Sequence, residues 1–231
     1  MKKLLALDWD HTVVAGNTDL AVLRLAEDPP SMPQYQDRGL GYCWTDHMQD
    51  IFSRLHSEGV LRQDYEKCLG RMHLIDGMDK LIRKAGSHPE WEVAIVSDSN
   101  VWFIETMLVQ RGLSDCVQAI YSNPAHFLDD GCLSIEYYHH NTWCSESALN
   151  LCKGVILKSH CAERAVGPVV YVGDGKNDYC PALTLSTKDV LCVRTGYKLN
   201  HKLATEPESA KRIKADIKYW TKGHELLELI A

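Results

Sequence analysis

The chain has 231 residues, 45% of them hydrophobic, enough to enclose one sizeable core, which excludes a short peptide, a fibrous protein and a disordered tail. Its formal charge of −6 leaves no basic footprint for nonspecific nucleic-acid binding. Its apolar runs, such as 93–96 and 169–172, are strand-length and far short of the about 20 residues that span a bilayer, so the expectation is a soluble protein with no membrane partner.

Two lysines precede the apolar stretch 4–7, but that stretch stops at Asp8, below the about 7–15 residues of a signal peptide's apolar region. Nine scattered cysteines without an export signal predict reduced thiols and a cytoplasmic location.

In chain order, 4–7 reads as a strand ending at Asp8. From 17 to 73 helix-like segments dominate, with a Pro-rich break at 29–33. Trp44, Met48, Ile51, Phe52 and Leu55 form one apolar helical stripe. A helix is predicted over 77–85, a strand over 91–96 ending at Ser97-Asp98, and a helix over 100–111 stopped by Gly112. A strand over 117–121 precedes a hairpin turning at Asp129-Asp130-Gly131. A helix is then expected over 145–160, with Leu149, Cys152, Ile156 and Leu157 on one face. The strands 169–172, ending at Gly173-Asp174, and 190–193 follow. This alternation predicts an α/β fold with a parallel sheet. Residues 1–16 and 74–231 would form the core, and 17–73 a small helical cap inserted after the first strand.

The polar residues that end these strands carry the chemistry, because open parallel sheets gather ligands at the C-terminal strand ends. Asp8 and Asp10 follow one strand, and Asp174 and Asp178 follow another. Crowded anions are unfavourable unless a cation sits between them, and an oxygen-rich site suits Mg²⁺. Asp8, Asp10, Asp174 and Asp178 are therefore the candidate metal residues. Asp8 is also a candidate nucleophile, since carboxylates form aspartyl-phosphates, and Asp10 a candidate acid and base. A phosphate needs a cation and hydroxyl donors on its other oxygens, which Lys153, Ser97 and Thr12 supply, with Lys158 a weaker alternative to Lys153. Glycines 173 and 175 are read as allowing a tight turn.

Asp8-x-Asp10-x-Thr12, Ser97 after 93–96, Lys153, and Gly173-Asp174-Gly175-x-Asn177-Asp178 together resemble the four ordered motifs of haloacid-dehalogenase-like (HAD-like) phosphatases. Across nearly the whole chain, Val96-Ser97-Asp98-Ser99-Asn100, Ser122-Asn123-Pro124, Cys152-Lys153-Gly154 and the stretch from Tyr171 to Pro181 are similar to one subfamily. It contains phosphoethanolamine/phosphocholine and pyridoxal phosphate phosphatases, with plant relatives associated with thiamine monophosphate or pyrophosphate. The resemblance implies a Rossmann-like core, Mg²⁺ and hydrolysis of a small-molecule phosphomonoester. A phosphotransferase or mutase of the same fold is the rival. A silent phosphometabolite-binding protein is disfavoured because both Asp8 and Asp10 remain.

Relatives of that subfamily carry three cysteines spaced C-x2-C-x4-C before the motif lysine, where this chain has Cys144, Ser147 and Cys152. His139, His140, Cys144 and Cys152 are zinc-type ligands. Cys152, however, falls on the apolar face of the expected helix, where a free cysteine packs as a small hydrophobe, and packing is the reading adopted. Asp19 and Asp98 lie beside the motifs at the expected pocket mouth, where further acids would repel an anionic leaving group and favour a cationic one. They are the candidate substrate-binding residues.

Overall fold

The computed structural model of the chain describes residues 1–29 and 43–230. Most of the expected Pro-rich break lies outside the described residues. Six strands form a parallel sheet: β1 (Lys3–Leu7), β2 (Trp91–Asn100), β3 (Ala119–Asn123), β6 (Val169–Gly173), β7 (Val190–Arg194) and β8 (Asp216–Trp220). Their spatial order is β3-β2-β1-β6-β7-β8, with β1 central and in register with both neighbours, Leu7 facing Ile95 on one side and Val172 on the other.

The central strands β1, β2 and β6 are buried on both faces, which is why they read as continuous apolar runs. Along β1, Leu5 and Leu7 join one core, and Leu4 and Ala6 the opposite one. The first core takes the apolar faces of α4 (Met78–Ser87) and α5 (Val101–Gln110). The second takes α6 (Lys153–Arg164), α7 (Tyr179–Ala182) and α8 (Lys198–Thr205), with the short α9 (Pro207–Lys211) beside α8.

Between β1 and α4 lie the inserted helices α1 (Thr18–Leu23), α2 (Trp44–Ser57) and α3 (Arg62–Gly70). The expected stripe forms on α2: Met48, Ile51, Phe52 and Leu55 are buried, with Trp44 packed at the edge. The expected hairpin forms as β4 (Ala125–Phe127) and β5 (Leu133–Ile135), antiparallel, with Gly131 at φ +89° in the turn. It packs on α2, where the Ile135 N–H donates to Gln49 Oε1 at 2.9 Å and the Tyr137 hydroxyl donates to Asp46.

Three expectations need correction. The helix predicted over 145–160 begins at Lys153. Residues 145–152 form turns because the Asn141 amide donates to the carbonyls of Cys144, Ser147 and Ala148, offering that backbone partners other than a helix. Leu149, assigned to the buried face, is exposed. Strand β2 extends to Asn100, with a register irregularity against β3 between Val96 and Asn100. β8 was not anticipated: it is a half-exposed edge strand whose Lys218 interrupts the apolar pattern, a composition that protects an open edge.

Candidate active site

The order of strands reverses direction beside β1: the chain builds β2 and β3 on one side, then returns to place β6 on the other. Such a switch point opens a crevice at the C-terminal strand ends. Asp8 leaves β1, Ser97 and Asp98 lie near the end of β2, and Asp174 leaves β6, so the expected residues converge on that crevice.

Lys153, the first residue of α6, is 2% exposed and lies 2.8 Å from Asp8 Oδ1 and 2.9 Å from Asp178 Oδ1. Asp8 Oδ1 also accepts from the Trp9 N–H at 2.7 Å, and Asp174 Oδ1 accepts from the Thr12 hydroxyl at 3.1 Å. Asp178 is saturated. Its Oδ1 takes Lys153 and the Tyr171 hydroxyl, and its Oδ2 takes the N–H groups of Asp174 and Gly175 at 2.9 and 2.8 Å. Oxygens of Asp8, Asp174 and Asp178 all lie within 4.8 Å of one another, a carboxylate cluster suited to a metal ion.

The chain turns tightly after Gly173, with Gly175 leading into a single 3-10 turn over Lys176–Asp178, and neither glycine needs a left-handed backbone to do so. The need at Gly173 is space, because a Cβ would stand 2.4 Å from Asp178 Cγ.

The Asp10 carboxylate lies outside the three-acid cluster. Thr18, the first residue of α1, clamps it: the Thr18 N–H donates to Oδ1 at 2.9 Å and its hydroxyl to Oδ2 at 3.1 Å. Thr18 also contacts Ser99 at 2.9 Å, and the Ser99 N–H donates to Ser97 Oγ at 3.3 Å, linking Asp10 to the end of β2. Asp98 Oδ2 accepts from Asn177 at 2.9 Å, which ties β2 to the Asp174 loop. Asp19 is buried, with Oδ2 accepting from the Trp44 indole at 2.6 Å and Oδ1 without a partner among the described residues. Lys158 is exposed on α6, away from this network.

Burial and like charge dominate the electrostatics. Burial pushes Asp8 well above the usual carboxylate range, Asp178 adds to the rise, and Lys153 opposes it. Burial likewise raises Asp174 to about 7, with Asp178 adding and Lys153 opposing. Asp10 is raised by burial and then by Asp19. Burial works against the Lys153 ammonium, but Asp178 and Asp8 outweigh it and hold this lysine above its ordinary range. The acids are crowded beyond what one lysine neutralises.

Several residues of this network were missed in the sequence. Thr18, Trp44 and Tyr171 bind the acids from 7 to 25 positions away. Of these only Tyr171 left a signal, a lone hydroxyl within an apolar strand. The proposed zinc-type set is not assembled as such: His140 stacks on Tyr137 at the surface, and His139 Nε2 accepts the Cys152 N–H at 2.8 Å. Cys144 and Cys152 come together instead with Cys180, a residue outside that set.

The family described as "Putative Phosphatase" matches residues 3–231. The mouse pyridoxal phosphate phosphatase PHOSPHO2 is 30% identical over 233 residues, covering 98% of this chain and 96% of the relative. The phosphoethanolamine/phosphocholine phosphatase of Gallus gallus is 32% identical over 215 residues, covering 90% and 79%. A crystal structure of phosphoserine phosphatase in apo form has the same fold, with a TM-score of 0.64 at 18% identity, covering 100% of both chains. Fold and site together define a HAD-like phosphatase, an enzyme acting on small phosphomonoesters. The chain belongs to the phosphatase family that matches it from residue 3 onward.

Proposed function

We propose that this enzyme hydrolyses small phosphomonoesters with Mg²⁺ through an aspartyl-phosphate on Asp8, and that it favours leaving groups bearing a positive or protonatable nitrogen. The observation that carries this reading is the set of buried acids at two adjacent strand ends, balanced by the single buried Lys153. The donors fit the ion, being hard oxygens brought within 4.8 Å and left with excess negative charge. Asp8 and Asp174 would hold it, while Asp178, with four hydrogen bonds already made, fixes the loop. When bound, Mg²⁺ supplies positive charge to the phosphate oxygens and relieves repulsion among the acids.

The Asp8 carboxylate attacks phosphorus in line, forming an acyl-phosphate bond as the bond to the leaving oxygen breaks. Asp10, with a carboxyl raised by burial and both oxygens fixed by Thr18, gives its proton to that oxygen. It then takes a proton from water. The water oxygen attacks the acyl phosphate, releasing inorganic phosphate and restoring Asp8. Lys153, Ser97 and Thr12 steady the phosphate oxygens.

Residues 17–73 act as the cap over a core of 1–16 and 74–231, and the β4–β5 hairpin packed on α2 supports counting it with the cap. Asp19 Oδ1, without a partner among the described residues, and the nearby Asp98 favour a cation at the mouth, in keeping with relatives named for pyridoxal phosphate, phosphoethanolamine and phosphocholine. Nine free thiols support a reducing, cytoplasmic location.

Phosphate release with Mg²⁺ tests this reading. kcat/KM for phosphoethanolamine, phosphocholine, pyridoxal phosphate and thiamine monophosphate should exceed that for glycerol phosphate, and Asp19→Asn or Asp98→Asn should narrow the gap. Chelator should stop turnover, Mg²⁺ should restore it, and Ca²⁺ should not support comparable rates because its longer bonds misplace the nucleophile. Asp8→Asn should abolish release. Equal turnover of glycerol phosphate rejects the charge preference, and near wild-type release by Asp8→Asn rejects the covalent route. Transfer that needs an added acceptor alcohol points to the phosphotransferase.

A further inference from the structure

At the start of α6, three thiols converge from separate parts of the chain. Cys144 comes from the turns before α6, Cys152 is the residue preceding α6, and Cys180 lies in α7. Their sulfurs all lie within 4.8 Å of one another, with Cys180 Sγ 3.4 Å from Cys144 Sγ and 3.6 Å from Cys152 Sγ. A disulfide would need about 2.05 Å. Four sulfurs around one Zn²⁺ at about 2.3 Å stand about 3.8 Å apart, close to the separations here.

Two further observations point to a ligand at this position. The Ser147 hydroxyl stands beside the Cys144 and Cys180 sulfurs, and its buried oxygen has no hydrogen bond of normal geometry. A fourth donor, an oxygen, thus stands at the group. Access from the first turn of α6 is closed tightly over Cys180, since a Cβ on Gly154 would stand 2.6 Å from its sulfur. The His139 imidazole is already engaged, its Nε2 accepting the Cys152 backbone N–H at 2.8 Å.

We propose that Cys144, Cys152 and Cys180, with the Ser147 hydroxyl in the fourth position, form a structural site for a thiophilic divalent cation, Zn²⁺ being the fitting ion. Three sulfurs and one oxygen are a soft set, distinct in its residues from the all-oxygen cluster of Asp8, Asp174 and Asp178. Binding displaces the three thiol protons, leaving a thiolate site with no redox change. Its mechanical effect follows from chain position. Cys152 immediately precedes Lys153, and Cys180 follows Asp178 by two residues, so one ion would pin the backbone next to both members of that buried ion pair.

The test uses Co²⁺ as a spectroscopic probe on the full chain purified with reductant and stripped of metal. The expected result is one equivalent bound with a thiolate-to-cobalt charge-transfer band and tetrahedral d–d absorption, both displaced by Zn²⁺ and left unchanged by excess Mg²⁺. Ser147→Cys, which keeps every thiol, should strengthen the band. Cys180→Ser should weaken Co²⁺ retention by more than about 100-fold, beyond what the loss of an outer-sphere partner gives. The folded wild type showing no thiolate band, or a band unaltered by Cys180→Ser, would overturn the proposal. A Cys144–Cys180 disulfide in protein isolated without air would overturn it too.

Discussion

Asp19 is the residue whose environment departs furthest from its place in the sequence. It sits in the first turn of α1, an ordinary position for a helix acid, yet it is buried, with one oxygen bound to Trp44 and the other without a partner among the described residues. Burial lifts it to about 7; the Trp44 N–H opposes the rise and Asp98 adds to it. A carboxyl with a folded-state pKa above its unfolded value near 3.8 binds its proton more tightly in the folded chain. The stability it contributes is therefore full below about 4 and is lost as pH rises toward about 7, an effect on the order of a few kcal/mol. Asp19→Asn should flatten that slope, so the difference in Tm between pH 5 and pH 8 shrinks. KM for an amine-bearing substrate should fall in the wild type as pH passes about 7 and the acid ionises. An unchanged Tm profile in the variant would remove Asp19 from this account.

The residues that end strands were legible because a carboxylate closing an apolar run is an anomaly that needs a reason. Asp8 and Asp174 are of that kind, and Ser97 marks its run's end with a hydroxyl instead. The residues that hold them were not. Trp44 is 25 positions from Asp19, and Cys180 is 28 from Cys152, and no local pattern marks either pairing.

Among elements, α6 shows how a helix start can carry function. The apolar spacing before Lys153 suggested an earlier start, but Asn141 holds that segment in turns, so Lys153 emerges at the first position, between Asp8 and Asp178. The loop after β6 faces it, and there Gly173 is the critical position. Gly173→Ala would drive a methyl against Asp178, displacing the group that fixes Lys153 and the loop. The expected cost is about 1–3 kcal/mol of overpacking, read as a lower Tm, together with a fall in kcat of ten-fold or more. Gly131→Ala is the control: it strains a hairpin turn at φ +89° with nothing within 4 Å, so Tm should fall slightly and kcat hold. Equal kcat losses in both variants would show that the Asp178 contact is not what matters.

At the scale of the whole molecule, the alternation of runs gave a parallel sheet but no strand order, because strand neighbours are set by packing across the chain. The order places β1 beside β6, and so Asp8 beside Asp174, which converts two distant motifs into one site. The second non-local feature is the joining of the helical insertion to the β4–β5 hairpin through Gln49 and Asp46. Tyr137→Phe removes a hydrogen bond to the Asp46 carboxylate, a contact of about 1.5–3 kcal/mol. Amide hydrogen exchange should then quicken in α2 and β5 together while β1 and β6 keep their protection. Faster exchange in the hairpin alone would show that the two pieces do not move as one.

The central claim is that phosphate passes through Asp8, and chemical trapping measures it most directly. Enzyme turning over phosphoethanolamine with Mg²⁺ is quenched in acid and treated with borohydride, which reduces an acyl phosphate of aspartate to homoserine, and the peptides are then sequenced by mass spectrometry. The predicted result is homoserine at position 8, dependent on both substrate and Mg²⁺ and absent from Asp8→Asn. Sustained phosphate release with no modification at Asp8, or with the modification at another residue, would contradict the account.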